Sequence, residues 1–193
     1  MSVTPMPVYS VGHSNHPPGD FLRLLQQHHI ETVADVRSSP HSRFVPHVSK
    51  DRLARMLAEA GIGYLYLGDE LGGKPPRQDP PATRLSYQER IKEAAFGHGI
   101  ERLLEAVDRC RVTLLCRERD PLDCHRLHLI CRHIKPMVGA IRHILPDGRI
   151  EEQAATERRL LERAGLRDLP LFEGETTDDL QALERAYDLC WPR

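Results

Sequence analysis

Short apolar runs alternate with segments of helical periodicity along most of this chain, and this alternation constrains its fold more than any other feature. Strands separated by helices are typical of a parallel sheet that is covered on both faces. The sequence therefore predicts an α/β fold, with a three-layer, mostly parallel sheet of about five strands, helices on both faces and further helices at the C-terminus. The predicted strands span residues 8–12, 32–36, 64–67, 112–116 and 140–145.

Helix boundaries are marked by capping and turn residues. Ser49 is a predicted N-cap, and Ser86 begins a segment with the form of a capping box. A break is expected near Gly97 and Gly99, and Asp120 followed by proline predicts a further helix start. The predicted helices run over 17–30, from 49 to 61, from 86 toward 110, from 120 onward, over about 151–164 and over about 177–190.

The chain of 193 residues is long enough for one domain with its own core. We predict an α/β domain over residues 1–150, which contains the pocket, and a helical extension over 151–193 packed on the same domain. An apolar stripe in the last helix either covers the core or forms a homodimer contact. Its members are Leu180, Leu183, Ala186, Tyr187 and Cys190.

Charge and cysteine content exclude several classes of protein. The net charge of −1 gives no overall attraction to nucleic acids or anionic membranes. No apolar run has the length of a membrane span, and the N-terminus lacks the pattern of a secretory signal. With no export signal, the five cysteines are expected to be reduced thiols in the cytoplasm.

Polar and reactive side chains follow the predicted strands. In open α/β sheets, ligands bind beyond the carboxyl ends of the strands. The sequence therefore predicts a pocket at that edge of the sheet. The strand ends read His13-Ser14-Asn15, Asp35-Val36-Arg37, Gly68-Asp69-Glu70 and Cys116-Arg117-Glu118.

Five segments together resemble the family known as domain of unknown function 488. They read YSVGHSN, ADVRSSPHSR, YLYLGDELGG, LLCRERDPLDCHR and IRHILPDGRI, and they cover roughly residues 8–150. The resemblance implies an α/β fold and a shared pocket, but no established reaction. It points to His13, Ser14, Asp35, Arg37, Arg43, Gly72, Gly73, Cys116, Glu118, Cys124, His125 and Arg126 as site residues.

Cys116 is the candidate reactive group. A thiol at a strand end that faces a helix N-terminus can have a lowered pKa, and nearby His125 and Arg126 would lower it further. The alternative is an inert cysteine of the core. The arginine spacing of phosphatase and sulfurtransferase loops is absent, because Leu122 and Pro121 occupy the two positions.

Two other uses of these residues stay open. Cys116, Cys124 and His125, with His13 as a fourth donor, form a set suited to Zn²⁺ or iron, and the two cysteines could form a transient disulfide. The glycine-lysine spacing at residues 68–74 matches a P-loop, but Pro75 replaces its serine or threonine. The sequence therefore contains no nucleotide cofactor motif.

The lead hypothesis is a cytoplasmic enzyme with Cys116 as thiolate, His125 or His13 for proton transfer and Glu118 for orientation. Its substrate would be an anion, with a phosphate-bearing small molecule, a nucleotide or nucleic acid as candidates. Arg37, Arg43 and Arg126 would bind this anion, with Ser14, Gly72 and Gly73 beside it and Asp35 orienting Arg37. The rival hypothesis is a regulatory module that binds an anion or a metal without turnover. His143 is assigned no role.

Overall fold

The computed structural model describes residues 6–42, 45–73, 85–166 and 177–191. A six-stranded sheet lies at its centre. The strands are β1 (Val8–Gly12), β2 (Thr32–Asp35), β3 (Gly63–Tyr66), β4 (Val112–Cys116), β5 (Ile141–Ile144) and β6 (Ile150–Glu152). Their order is β3-β2-β4-β1-β5-β6, and only the β5–β6 pair is antiparallel. The predicted α/β fold is confirmed. The sequence pattern did not reveal β6, because this strand is short and carries two glutamates.

Helices connect the strands and cover both faces of the sheet. The α-helices are α1 (Pro18–Gln27), α2 (Lys50–Glu59), α3 (Gly68–Leu71), α4 (Tyr87–Arg90), α5 (Ala94–Val107), α6 (Arg132–Ile134), α7 (Gln153–Arg163) and α8 (Thr177–Leu189). A π-helix, Arg126–Cys131, runs directly into α6. None of the helices in these described ranges has the length and apolar content of a membrane span.

The core has two parts, one on each face of the sheet. Phe21 of α1 and Leu53 of α2 pack on one face. Phe96 of α5 and Leu127 of the π-helix pack on the other face, and Leu160 of α7 belongs to the same cluster. The three-layer arrangement predicted from the sequence is therefore present, and the C-terminal helices share the core of the sheet.

The apolar stripe of α8 faces this core. Ala186 and Tyr187 are buried in the same cluster as the sheet residues, and Leu183 and Cys190 pack against it. Leu180 is exposed. The stripe thus covers the core, and a homodimer contact stays a prediction.

The capping box at Ser86 is present, because its side chain and that of Glu89 each accept a hydrogen bond from the other residue's main chain. The predicted helix break near Gly97 and Gly99 is wrong. Helix α5 passes through both glycines without interruption, and the chain breaks earlier, between α4 and α5. Each glycine costs about 1 kcal/mol relative to alanine, a cost that the buried apolar face of α5 outweighs.

The helix predicted from Asp120 is divided in two. The Asp120 side chain accepts from the main chain of Leu122 and caps a short 3₁₀ turn, Pro121–Asp123. Cys124 then has extended backbone, with φ −132° and ψ 139°, and the π-helix follows. Residues 74–84, which include the end of the P-loop-like spacing, lie outside the described residues.

Candidate functional site

The carboxyl ends of three central strands bring the predicted residues together. β4 lies between β1 and β2, and Gly12 of β1 is in register with Cys116 of β4. The His13 amide donates to the carbonyl of Cys116 at 2.9 Å, and the Ser14 amide donates to the carbonyl of Arg117 at 2.9 Å. The segments that follow β1 and β4 are therefore joined by main-chain hydrogen bonds at one rim.

The close contact between these segments requires glycine at position 12. A Cβ atom there would lie 1.9 Å from the Glu118 carbonyl oxygen. Ser14, two residues later, has φ 45°, the left-handed region that non-glycine residues seldom adopt. The turn after β1 is thus held in a demanding conformation next to the site, as is common at functional sites.

Asp35 and Arg37 form a buried, two-point ion pair beside this rim. Nε of Arg37 donates to Oδ1 of Asp35 at 2.8 Å, and an Nη2 hydrogen goes to Oδ2 at 2.6 Å. The Tyr64 hydroxyl donates to the same carboxylate at 2.8 Å. Nη2 of Arg37 also donates to the Val48 carbonyl at 2.9 Å. The carboxylate orients Arg37, as predicted, while binding of an anion by Arg37 stays a prediction.

Two sulfurs and one imidazole lie together behind the rim. Cys116, Cys124 and His125 are all buried, and one ligand atom from each lies within 4.8 Å of the others. Nδ1 of His125 is 3.5 Å from the Cys116 sulfur and 3.9 Å from the Cys124 sulfur. The extended backbone of Cys124 brings its side chain toward Cys116, the direction expected from the sequence.

The tautomer of His125 follows from its other nitrogen. Nε2 lies 3.0 Å from the Val36 carbonyl oxygen, which can only accept a hydrogen bond. Nε2 therefore carries hydrogen, and in the neutral ring Nδ1 presents a lone pair to the two sulfurs. Gly73 packs against this ring, since a Cβ atom there would lie 2.6 Å from Cγ of His125.

Arg126 is fully buried, and its guanidinium contacts no carboxylate within the described part of the chain. Nη1 donates to the Glu118 carbonyl at 2.7 Å, and Nη2 donates to the Arg119 carbonyl at 3.2 Å. Nε donates to the Ser10 hydroxyl at 3.3 Å. The Arg126 amide donates to the Cys124 sulfur at 3.4 Å. Among the described residues, the hydrogen-bond partners of the guanidinium are therefore all neutral oxygens.

The two cysteines have opposite electrostatic environments. The hydrogen bond to the Cys124 sulfur raises the pKa of Cys116 well above its ordinary value, and burial raises it further. Burial also acts to raise the pKa of Cys124, but the hydrogen bond from Cys116 and the charge of Arg126 hold it well below its ordinary value. Thiolate character is therefore favoured at Cys124 over Cys116. The sequence predicts a lowered pKa at Cys116, and a reactive thiolate at that position stays a prediction.

His13 and Glu118 lie at the edge of the cluster. The Cys116 thiol donates to Oε2 of Glu118 at 3.1 Å. Burial acts to raise the pKa of Glu118, but the bond from Cys116 helps to lower it to about 2. Burial, and then the charge of Arg37, lower the pKa of His13 to about 4. At neutral pH the site thus contains an ionised Glu118 and a neutral His13.

Comparison with known families identifies the family of this chain. A family model described as a domain of unknown function, DUF488, matches residues 18–132. The chain belongs to the DUF488 family. The matched DUF488 region includes Asp35, Arg37 and the segment from Cys116 to Arg126, while His13 and Ser14 precede it. No curated protein and no solved structure matches the chain.

The DUF488 resemblance also implied Arg43 and Gly72 as site residues, and the structure describes one of the two. Arg43 lies outside the described residues. Gly72 is buried next to the Ser38 side chain, whose Oγ would lie 2.5 Å from an added Cβ atom. Substrate contacts by Ser14, Gly72, Gly73 and Arg126 stay predictions.

Sequence reasoning missed three buried residues that connect to the site. Ser10, His143 and Gln153 form a hydrogen-bonded line that ends at Arg126. His143 had been given no role. A signal was available, because a histidine within an apolar strand needs a buried partner, but the partner lies 133 positions away at Ser10.

Proposed function

We propose that this protein is a cytoplasmic enzyme that uses the Cys116–Cys124 pair on an anionic substrate. The observation that carries the proposal is the buried Arg126 next to the cysteine cluster: among the described residues its guanidinium hydrogen-bonds neutral oxygens, and its amide donates to the Cys124 sulfur. A thiolate is the nucleophilic form of cysteine, and a neighbouring cation stabilises it. The free state of all five cysteines is in keeping with a reducing compartment.

Each group in the cluster has a chemical role in this proposal. Cys124 is the thiol with the lowered pKa and is the nucleophile, and Cys116 lies beside it in the cluster. Nδ1 of His125 can accept a proton from a thiol, because its lone pair faces both sulfurs. Glu118 orients Cys116 through the bond to its thiol. His13, neutral beside the rim, is the second group suited to proton transfer.

The substrate is proposed to be an anion because of the guanidinium groups at the rim. Arg37 is oriented by Asp35 at two points, which leaves Nη1 without an acceptor in the described residues. Arg119 is exposed on the loop after β4 and pairs with no carboxylate in the same part of the chain. Because the net charge of the whole chain is −1, an anion would be attracted by the guanidinium groups at this rim and not by the protein as a whole. A phosphate-bearing small molecule, a nucleotide or a nucleic acid would supply the anionic group.

Site-resolved alkylation tests the proposal. The native protein is treated with iodoacetamide at neutral pH, and labelled peptides are quantified by mass spectrometry. Cys131 is the matched control, since it is equally buried on the adjacent helix and its pKa is raised to about 12, mainly by burial. We expect Cys124 to react first and Cys131 not to react, and Cys116→Ser to slow the labelling of Cys124. Equal, slow labelling of Cys124 and Cys131 would contradict the proposal.

A second candidate, a metal-binding module, is favoured by the donor geometry. In a tetrahedral zinc site, bonded sulfur and nitrogen atoms lie about 3.6 Å apart. Nδ1 of His125 lies 3.5 and 3.9 Å from the two sulfurs. Its Nε2 hydrogen is held by a carbonyl, as is usual for histidine ligands. Zn²⁺ or iron would suit these donors.

Elemental analysis separates the two candidates. Stoichiometric zinc or iron in the purified protein, lost in both Cys116→Ser and Cys124→Ser but retained in Cys131→Ser, would favour the metal-binding module. Substoichiometric metal together with rapid labelling of Cys124 would favour the enzyme. A thermal-shift screen with inorganic phosphate, nucleotides and oligonucleotides then identifies the anionic ligand.

A further inference from the structure

A line of hydrogen bonds runs from Arg126 into the protein interior, away from the thiol pair. Nε of Arg126 lies 3.3 Å from the Ser10 hydroxyl, which lies 2.7 Å from Nδ1 of His143. Nε2 of His143 lies 2.8 Å from Oε1 of Gln153. Ser10, Arg126 and His143 are fully buried, and Gln153 is 6% exposed. All four side chains are therefore shielded from bulk solvent.

The donor and acceptor of each hydrogen bond in this line are fixed by Glu157, which lies beyond Gln153. Nε2 of Gln153 lies 2.9 Å from Oε1 of Glu157, and a carboxylate oxygen accepts. Oε1 of Gln153 consequently faces His143 and accepts from its Nε2 hydrogen. Nδ1 of His143 then has a lone pair, to which the Ser10 hydroxyl donates. The Ser10 oxygen is left to accept from Arg126.

The protonation state of His143 fits this single arrangement. Burial, and then the charge of Arg126, lower the pKa of His143 to about 3. The ring therefore stays neutral near neutral pH and can accept from Ser10. At the far end, Glu157 also accepts from the Tyr187 hydroxyl at 3.0 Å and pairs with Lys135 at 2.9 Å.

We propose that Ser10, His143 and Gln153 are positioning residues, which hold the Arg126 guanidinium in place beside the Cys116–Cys124 pair. This inference rests on the proposed function. Arg126 contacts no carboxylate among the residues that the structure describes, so its orientation depends on Ser10 and on two main-chain carbonyls. Ser10 is the only one of these three partners that a side-chain substitution can remove.

A neighbouring strand offers a matched control. Thr113 of β4 is fully buried, and its hydroxyl has no hydrogen-bond partner among the described residues. It pairs with Tyr9, next to Ser10, in the β1–β4 register. Thr113→Val and Ser10→Ala therefore each remove one buried strand hydroxyl, but only Ser10→Ala interrupts the line to Arg126.

The first measurement is the rate at which iodoacetamide labels Cys124. We expect Ser10→Ala to slow labelling by about two- to tenfold, the range for one lost hydrogen bond, and Thr113→Val to leave it unchanged. His143→Asn can still present an acceptor to Ser10, whereas His143→Gln places its amide nearer to Gln153. We therefore expect His143→Asn to label faster than His143→Gln. Native rates in both Ser10→Ala and His143→Gln would overturn the inference.

A second measurement keeps the inference separate from the proposed function. Nitrogen chemical shifts of His143 report its tautomer, and the Nε–H signal of Arg126 reports whether that bond is held. We expect the Nε2–H tautomer in the native protein, and faster exchange of the Arg126 signal in Ser10→Ala than in Thr113→Val. If Cys124 proves unreactive while these signals are as expected, the proposed function fails and the positioning of Arg126 stands. The opposite tautomer would overturn the inference directly.

Discussion

Arg37 and Arg126 are both buried at the same edge of the sheet, yet they are balanced in different ways. Arg37 has a carboxylate, Asp35, at two points of contact. Arg126 has carbonyls, a hydroxyl and the neighbouring sulfurs. The first arrangement neutralises its own charge and fixes a side chain. The second leaves a positive charge that can stabilise a thiolate, which is the property that chemistry at this site would need.

The largest expected effect comes from breaking the Asp35–Arg37 pair. Asp35→Ala leaves the Arg37 guanidinium buried without its partner, so we expect a loss of about 3–5 kcal/mol in the free energy of unfolding. The double variant Asp35→Ala/Arg37→Met should recover part of this loss, because it removes the uncompensated charge. Urea denaturation measures the free energy of unfolding of the native protein, the single variant and the double variant. A loss below about 1 kcal/mol for Asp35→Ala would mean that this buried pair contributes no more to stability than an exposed salt bridge does.

Replacing Arg126 should have a smaller effect on stability and a larger one on reactivity. Arg126→Met leaves no carboxylate unpaired, so we expect a loss of about 1–3 kcal/mol from its hydrogen bonds. Without the guanidinium the pKa of Cys124 should rise, and each unit of rise lowers its thiolate fraction about tenfold below that pKa. Alkylation of Cys124 at neutral pH measures this. The control is Arg37→Met, and an equal slowing in both variants would remove the distinction between the two arginines.

Acid stability offers a finer comparison, because each arginine lies near one buried histidine. Burial and Arg37 lower the pKa of His13 to about 4, and burial and Arg126 lower that of His143 to about 3. The unfolded chain takes up these protons near pH 6.5, whereas the folded protein does not. Stability is therefore complete above about pH 6.5 and falls toward pH 4, by roughly 1.4 kcal/mol per pH unit for each histidine.

Single substitutions assign this acid sensitivity to individual histidines. His143→Gln removes one titrating group and should reduce the slope of stability against pH by about one proton. Arg126→Met should raise the pKa of His143 and leave His13 unchanged, and Arg37→Met should do the reverse. Histidine proton resonances followed through a pH titration give both values. If either variant shifts the pKa values of both histidines, each arginine acts on both of them, and the pairing of one arginine with one histidine is wrong.

Much of the fold was predictable because it depends on local patterns. β1 and β4 have the bounds that the apolar runs predicted, and the capping box at Ser86 is formed as its spacing indicated. The errors arose where tertiary packing outweighed local preference. Helix α5 continues through Gly97 and Gly99, and the segment after Asp120 is divided at Cys124 instead of forming one helix.

In the candidate site, too, local patterns predicted some features and tertiary packing decided the others. The spacing of residues 116–126 placed Cys116, Cys124 and His125 in one neighbourhood, and the structure brings their ligand atoms within 4.8 Å. Which of the two cysteines has the lowered pKa could not be predicted, because that depends on how the two sulfurs lie relative to each other and to Arg126. The partnership of Ser10 with His143 was equally hidden, since nothing local to either residue specifies the other.

The sequence by itself determined the alternation of strands and helices, the edge of the sheet where reactive side chains collect, and the types of group found there. These follow from periodicity and from the rule that parallel strands end on the same side. Only the tertiary structure decided which guanidinium pairs with a carboxylate and which lies beside the two cysteines. Charge balance in a buried site depends on distances of a few ångströms between distant segments, and no local pattern encodes those distances.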